Sequence, residues 1–360
     1  MMQTATRRGN SRWGWWGLGA VLVLAGMAAA VGAHSKPAAK DPGLRIYFVD
    51  VEGGQSTLFV TPEGHSLLID TGWDDNDGRD AGRIVAAAKD AGIRRLDYVL
   101  LTHYHADHAG GFAQIAERMP IGTVIDHGEN RETGDSTQQV YEKYLRVVAD
   151  EKLKRIIAKP GDVLPVPDVH LDVISADGET ITNPLPGAGQ ENPACKESGP
   201  YAPIQSENPR SLGTLMTFGK LRILDLGDLT NEKEMLFMCP RNLLGHVDIL
   251  VVSHHGTYTS SSPALIYGIA PRVAIVDNGA KKGGTPAVWD IISKSPGLEG
   301  LWQLHFAEAG GAEHNSAEKF LANLTGPDAG NYLKLTAWAD GHFELFNSRT
   351  RATTKYPAHK

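Results

Sequence analysis

The chain has 360 residues, with 42 Asp and Glu against 35 Lys and Arg, 14 His and two Cys, and 41% of it is hydrophobic. That length and hydrophobic share provide for a sizeable core and exclude a disordered chain, and nothing repeats at a solenoid period. Two Cys exclude a thiolate zinc finger and a disulfide-dense scaffold, whereas 14 His beside 42 acids leave a His/Asp metal site open.

Arg7, Arg8 and Arg12 precede a charge-free stretch over 13–33 that ends in Val31-Gly32-Ala33. A basic start, an apolar middle and a small-residue ending read as a signal peptide over 1–33, cleaved before His34. An uncleaved membrane anchor is the alternative, because about 21 uncharged residues just span a bilayer. On either reading the remainder is expected outside the cytoplasmic membrane, periplasmic or secreted. Without the leader, 32 basic residues face 42 acidic ones, a charge of −10 that does not favour nucleic acid as a partner.

Residues 34–43 read as a linker. A strand over 44–51 and a Gly53-Gly54 turn follow, then a hairpin over 57–70 that turns at Pro62-Glu63-Gly64. Residues 79–91 are helical with Gly92 as their stop, and 96–101 form a short buried strand. A helix over 111–119, a strand over 122–126 and an amphipathic helix over 137–150 come next. Strands return over 163–173, and the Pro-, Gly- and Asn-rich segment 177–210 is an insertion loop. A second hairpin covers 212–226, then a helix over 232–238, a strand over 247–253, a helix over 263–269 and a strand over 273–276. Helices over 287–294 and 316–324, a closing hairpin near 332–346 and a tail over 351–360 complete the chain. Two similar halves, each a mixed sheet with helices outside, predict an α/β fold. It is an αββα four-layer sandwich, two mixed sheets packed face to face, forming one domain over 44–350.

Thr102-His103-Tyr104-His105-Ala106-Asp107-His108 stands at the end of the 96–101 strand, just before a helix. In extended chain His103 and His105 point to one side, and Asp107 and His108 approach from the turn into the helix. Four metal-ligand side chains within six residues point to a metal site rather than a solvated loop. Walker, dinucleotide-binding and Gly-x-Ser-x-Gly signatures are absent from the sequence, which leaves a serine hydrolase unsupported.

The H-x-H-x-D-H motif after a buried strand resembles the metallo-β-lactamase fold superfamily. Leu68-Ile69-Asp70-Thr71-Gly72 resembles the strand whose Asp supports a ligand His from behind, and Leu226-Gly227-Asp228 the strand end whose Asp bridges two metals. Val251-Val252-Ser253-His254-His255-Gly256 resembles the strand that delivers the last His. Val49-Asp50-Val51 with Gly53-Gly54-Gln55-Ser56, and the His-His-Gly-Thr run with Ser260-Ser261 behind it, resemble the competence-protein (ComEC-like) branch and its phosphorylcholine-esterase-like relatives.

The resemblance implies one site from Asp107, His108, Asp228 and His255, and another from His103, His105 and a share of Asp228. His255 is favoured over His254 as ligand, leaving His254 for catalytic work on the substrate or support. Many members supply a further His near Glu207-Asn208-Pro209-Arg210-Ser211, where this chain has none, and His127 and His170 lie on the wrong strands. Asn208 is at most a weak neutral partner. The expectation is therefore one tight divalent ion and a second, looser one. Zinc suits the His/Asp set, with manganese or iron allowed.

A hydroxide formed on such an ion attacks carbonyl or phosphorus, and Asp107 beside it orients the water or moves its proton. Tyr258 and Ser260 are candidates for substrate contact, and Lys281-Lys282-Gly283-Gly284 reads as an exposed turn, with a loop able to meet an anionic substrate as the alternative. Cys195 and Cys239 either pair in an oxidising compartment or are unrelated thiols; pairing would stabilise by about 4 kcal/mol on the chain-entropy model. The expected activity is an exported phosphoester or phosphodiester hydrolase. A lactam or lactone hydrolase and a non-catalytic metal- or ligand-binding protein are the alternatives.

Overall fold

The computed structural model describes residues 43–359; the expected leader over 1–33 and the linker up to residue 42 lie outside the described residues. One nine-stranded sheet runs in the order Ala352–Tyr356, Phe343–Asn347, Leu333–Ala337, Leu44–Phe48, Thr57–Val60, Ser66–Ile69, Leu96–Leu100, Ile121–Asp126, Lys154–Ile157. The second runs Leu321–Asn323, Gly300–His305, Val273–Val276, Ile249–Val251, Leu221–Asp225, Gly213–Phe218, His170–Ala176, Val163–Leu164, with Glu179–Thr180 joined to His170–Ala176.

Alternation along the strands sorts the side chains into three apolar layers. Leu44, Ile46 and Phe48 face Val251, Ile275 and Trp302 between the two sheets. Tyr47, Leu58 and Leu68 point the other way, onto the helices Arg79–Asp90 and Asp135–Asp150. Leu224, Leu250 and Ala274 cover the helices Asn231–Met238, Pro263–Ile269 and Pro286–Ser293. Sheets buried on both faces explain why so many strands read as unbroken apolar runs. The architecture is the expected αββα sandwich.

The strands Lys154–Ile157 and Gly300–His305 are additions to the sequence reading, and two further segments change. The stretch 316–324, read as a helix, forms a single turn at Glu318–Phe320 and then the strand Leu321–Asn323, parallel to Gly300–His305. Its helical spacing loses to a neighbouring strand edge, where Leu321 and Ala322 bury and Asn323 donates to the Leu304 carbonyl at 3.0 Å. The tail read over 351–360 is also structured, because Ala352–Tyr356 adds an antiparallel strand to Phe343–Asn347. Only Tyr356 of that strand is buried, and it accepts a hydrogen bond from Trp302 Nε1 at 2.9 Å. Its otherwise polar exposed face carries no hydrophobic pattern.

The insertion 177–210 is closed at its ends by Asp177 N donating to the Arg210 carbonyl at 3.1 Å and is tied down in its middle. Gln190–Glu191 pairs with Arg241–Asn242, and Cys195 is disulfide-bonded to Cys239. No helix among the described residues is long and apolar enough to cross a membrane.

The pairs between Ser66–Ile69, Leu96–Leu100 and Ile121–Asp126 in one sheet are parallel, as are those between Leu221–Asp225, Ile249–Val251 and Val273–Val276 in the other. Asp70, the 102–108 motif, Asp228, His254, His255 and Asp277 all follow the C-terminal ends of these strands, where open α/β sheets place their ligands.

Candidate metal centre

Two groups of donors meet at that edge: Asp107, His108, Asp228 and His255, all buried, and His103, His105 and Asp228. In the first, His108 Nε2 lies 3.2 Å from His255 Nε2, 3.2 Å from Asp228 Oδ1 and 3.4 Å from Asp107 Oδ2. His255 Nε2 lies 3.2 Å from Asp107 Oδ2 and 3.5 Å from Asp228 Oδ1. In the second, His103 Nε2 is 3.0 Å from His105 Nδ1 and 3.9 Å from Asp228 Oδ2.

The opposite ring nitrogens settle which atoms face inward. His108 Nδ1 meets Asp70 Oδ2 at 2.7 Å, His105 Nε2 meets Glu132 Oε2 at 3.0 Å, and His255 Nδ1 stands 3.4 Å from Asp277 Oδ1. His103 Nδ1 has Thr102 Oγ1 at 3.1 Å. At His108 and His105 the carboxylate behind the imidazole claims its N–H and turns the lone pair of the other nitrogen toward a metal, whereas Asp277 approaches His255 Nδ1 without a hydrogen bond. Asp70 also accepts from Thr102 N at 2.8 Å and Thr102 Oγ1 at 2.7 Å, which fixes the start of the motif.

This arrangement fits a divalent cation. Two imidazole nitrogens 3.2 Å apart and two carboxylates converge in a buried space where a positive charge, proton or metal, must lie between them, and the buried Asp228 Oδ1 has no hydrogen-bond partner. Four donors bound at about 2.1 Å in a tetrahedron stand about 3.4 Å apart, and the distances in the first group run from 3.2 to 3.5 Å.

The electrostatics agree. Burial pushes Asp107 and Asp228 up, but His108 and His255 outweigh it and hold both carboxyls well below the usual range. Burial pushes the two imidazoles down, yet Asp228 and its neighbours lift His108 well above its ordinary value and His255 to about 9. Without a metal, the acidic cage holds protons in its place. His103 differs, because burial and the neighbouring His108 and His105 keep it well below its ordinary value.

The motifs around the donors act as clamps. Gly54 packs so near that a Cβ there would come within 2.3 Å of the Asp107 carbonyl, which also accepts from Gln55 N at 3.1 Å. Gln55 Nε2 reaches both oxygens of buried Asp225, at 2.9 and 2.7 Å, and Asp225 Oδ1 accepts from Gly227 N, so this short run ties the Asp107 turn to the Asp228 turn. Burial raises the Asp225 carboxyl to about 7. Buried Glu234, also raised to about 7 by burial, accepts from Ser261 N and Ser262 N at 2.7 Å each and pins the chain beyond His255. His254 and His255 adopt left-handed φ of 53° and 54°, a conformation that costs energy unless its surroundings enforce it. The bond from His254 N to the Gly227 carbonyl at 3.0 Å does so.

His254 stands beside the donors rather than among them. Its Nε2 is 3.4 Å from Asp228 Oδ2 and 3.2 Å from Asn208 Nδ2, and its Nδ1 is 2.8 Å from Thr259 Oγ1. Asn208, expected at most as a weak ligand, is therefore turned to His254 and lies outside both groups. Tyr258 is 69% exposed, whereas Ser260 is buried and closed to a substrate, contrary to its expected contact. His127 pairs with buried Glu207 at 2.9 Å and His170 with Asp172 at 3.0 Å, apart from the donor groups. Lys282, read as part of a turn able to meet an anionic substrate, ion-pairs through its ammonium with Asp107, whereas Glu132 and Asp277 escape the sequence reading. Asp277 follows an apolar strand end just as Asp228 does, a signal that was present in the sequence; Glu132 lies in an acid-rich loop and had none.

Residues 50–190, which include Asp70 and the 103–108 motif, match the metallo-beta-lactamase superfamily. That match covers 141 of the 360 residues. It is 28% identical over 191 residues to ComE operon protein 3 of Bacillus subtilis (strain 168), covering 52% of this chain and 20% of that protein. It is 26% identical over 239 residues to Recombination protein 2 of Haemophilus influenzae, covering 66% and 24%. A hydroxyacylglutathione hydrolase of Stenotrophomonas maltophilia is 33% identical over 104 residues, 29% of this chain and 37% of that one. The match thus spans about a fifth to a quarter of the two competence-type relatives. Among solved structures, the Rm3 metallo-beta-lactamase is similar at 18% identity and a TM-score of 0.38, covering 60% of this chain and 76% of that one. Asp228 and His255 lie beyond the matched residues and join the motif only through the fold.

Proposed function

We propose that the protein is an exported, zinc-dependent hydrolase of phosphoesters, with phosphodiesters as the favoured class. The observation that carries this reading is the convergence of the buried Asp107, His108, Asp228 and His255 donors on one point, which would hold a small divalent ion able to take water as a fifth ligand. A divalent cation held there supplies Lewis acidity and, by lowering the pKa of water to about 7, a hydroxide nucleophile at neutral pH. His103, His105 and the second oxygen of Asp228 hold a looser ion. Asp107 orients the water and moves its proton. His254, kept neutral by burial, contacts the substrate from beside the bridging carboxylate.

The choice of phosphoester over lactam rests on the lack of a His near residues 207–211, where Asn208 is engaged by His254, and on the similarity to competence proteins. Export is supported by the Cys195–Cys239 disulfide, since such bonds persist in oxidising compartments. Metal analysis with turnover of bis-p-nitrophenyl phosphate and of nitrocefin tests the reading. Bound zinc and cleavage of the diester alone are expected. No diester cleavage with zinc, manganese or iron, or unchanged cleavage in His108→Ala, refutes it.

A further inference from the structure

The loop after Val273–Val276 runs beside the donors, and one of its side chains has no part in the chemistry above. Gly284 N donates to the His255 carbonyl at 2.7 Å and Thr285 N to the Gly256 carbonyl at 3.0 Å, which ties the loop to the last ligand strand. Gly283 has a φ of 75° and lies so close that a Cβ would come within 2.1 Å of the His255 carbonyl. This close approach presents Lys282 toward the centre. A Cβ on Gly53 would meet the Lys282 Cβ at 2.9 Å, so the base of the side chain is packed against the Gly53-Gly54 turn. Its ammonium lies 4.9 Å from the centre of the Trp73 ring and ion-pairs with Asp107 Oδ2. Lys282 also lines a cavity of about 350 Å³, together with Glu52, His305 and Asp328, and so stands between that opening and the donors.

The Asp107 oxygen it touches is the one that faces His108 Nε2 and His255 Nε2. A metal in the first group takes over the neutralisation of that oxygen, and the ammonium is left beside the centre with an open coordination direction. We infer that Lys282 is the substrate-binding cation of this centre, donating to an anionic non-bridging oxygen of the phosphoester. The inference rests on the phosphoester reading of the same site. A fixed positive charge at that oxygen stabilises the charge spread over the phosphoryl group in the transition state, where removing one such group typically costs about 10²–10³-fold. The bland alternative is that Lys282 merely holds Asp107 in place, which predicts loss of metal instead.

Zinc-loaded full-length protein, Lys282→Met and Lys282→Arg are compared. With inorganic phosphate as the probe in calorimetry, Lys282→Met is expected to bind about tenfold or more weakly, and Lys282→Arg within about threefold of the parent, at unchanged zinc content. On bis-p-nitrophenyl phosphate, kcat/KM of Lys282→Met falls by about 10²-fold, while on uncharged p-nitrophenyl acetate it falls less than about threefold. Equal losses on both esters, unchanged phosphate affinity, or loss of zinc in Lys282→Met overturns the inference. If the parent cleaves no diester, the phosphoester reading fails by itself. The phosphate titration then still decides whether Lys282 binds an anion: weakened binding in Lys282→Met upholds that, and unchanged binding overturns it.

Discussion

The two donor groups share one carboxylate yet differ in how they are built. Asp107, His108, Asp228 and His255 are all buried, and the imidazoles are backed by Asp70 and Asp277 at the ends of two apolar strands. His103, His105 and Asp228 form the thinner group: His105 is 24% exposed, and its backing carboxylate, Glu132, is 26% exposed on a loop. A donor held by buried strand ends loses little freedom when it binds, whereas one on a wet loop must be ordered and desolvated first. Unequal affinity follows from scaffolding as much as from ligand count.

The largest expected effect comes from removing the shared residue. Asp228→Ala should abolish binding of both ions, with losses beyond the ~10–100-fold typical of outer partners. Equilibrium dialysis with elemental analysis measures this, and retention of one tight ion would break the assumed sharing. Next come the backing carboxylates. Asp70→Asn should weaken the tight ion by about 10–100-fold, and Glu132→Gln should weaken only the loose one, near the lower end of that range. Competition against a chelator separates the two, and equal effects on both ions would erase the asymmetry.

Protons give a smaller, signed effect. Asp228 and its neighbours raise His108, and His255 stands at about 9 in the metal-free protein against an ordinary value of 6.5, so His255 is protonated at neutral pH. Filling the tight group should release at least the His255 proton, and the loose group none from His103, which burial keeps neutral. Calorimetry in two buffers of different ionisation enthalpy counts them. By the same linkage, the stability these raised imidazoles lend the metal-free form is fully present below pH 6.5 and is lost as pH rises through about 9. The Tm of the metal-free protein should fall over that window, and that of the zinc-loaded protein should fall less. The smallest effect on the centre belongs to the disulfide. Cys195→Ser should lower stability, by at most about 4 kcal/mol, while leaving both zinc affinities unchanged.

Much of the centre was legible because its information is local. Four ligand side chains within 103–108, and acids at the ends of apolar runs, declare themselves without a neighbour. The sandwich followed from strand and helix periods that recur in each half. Legibility failed where a second element decided the outcome. Helical spacing over 316–324 gave way to an adjacent strand edge, and the polar strand Ala352–Tyr356 is held chiefly by backbone pairing, which side-chain pattern does not encode.

The sequence by itself therefore determined the chemistry available: which donors exist, and that His103, His105, Asp107 and His108 share one turn. Only the tertiary structure decided their company. It set His254 beside the donors and His255 among them, put Glu132 and Asp277 behind imidazoles, and swung Lys282 onto Asp107 from 175 positions away. The reason is physical. Ligand identity is a property of a side chain, whereas protonation, orientation and charge balance depend on what burial brings within a few ångströms, and that distance is fixed only when both sheets meet.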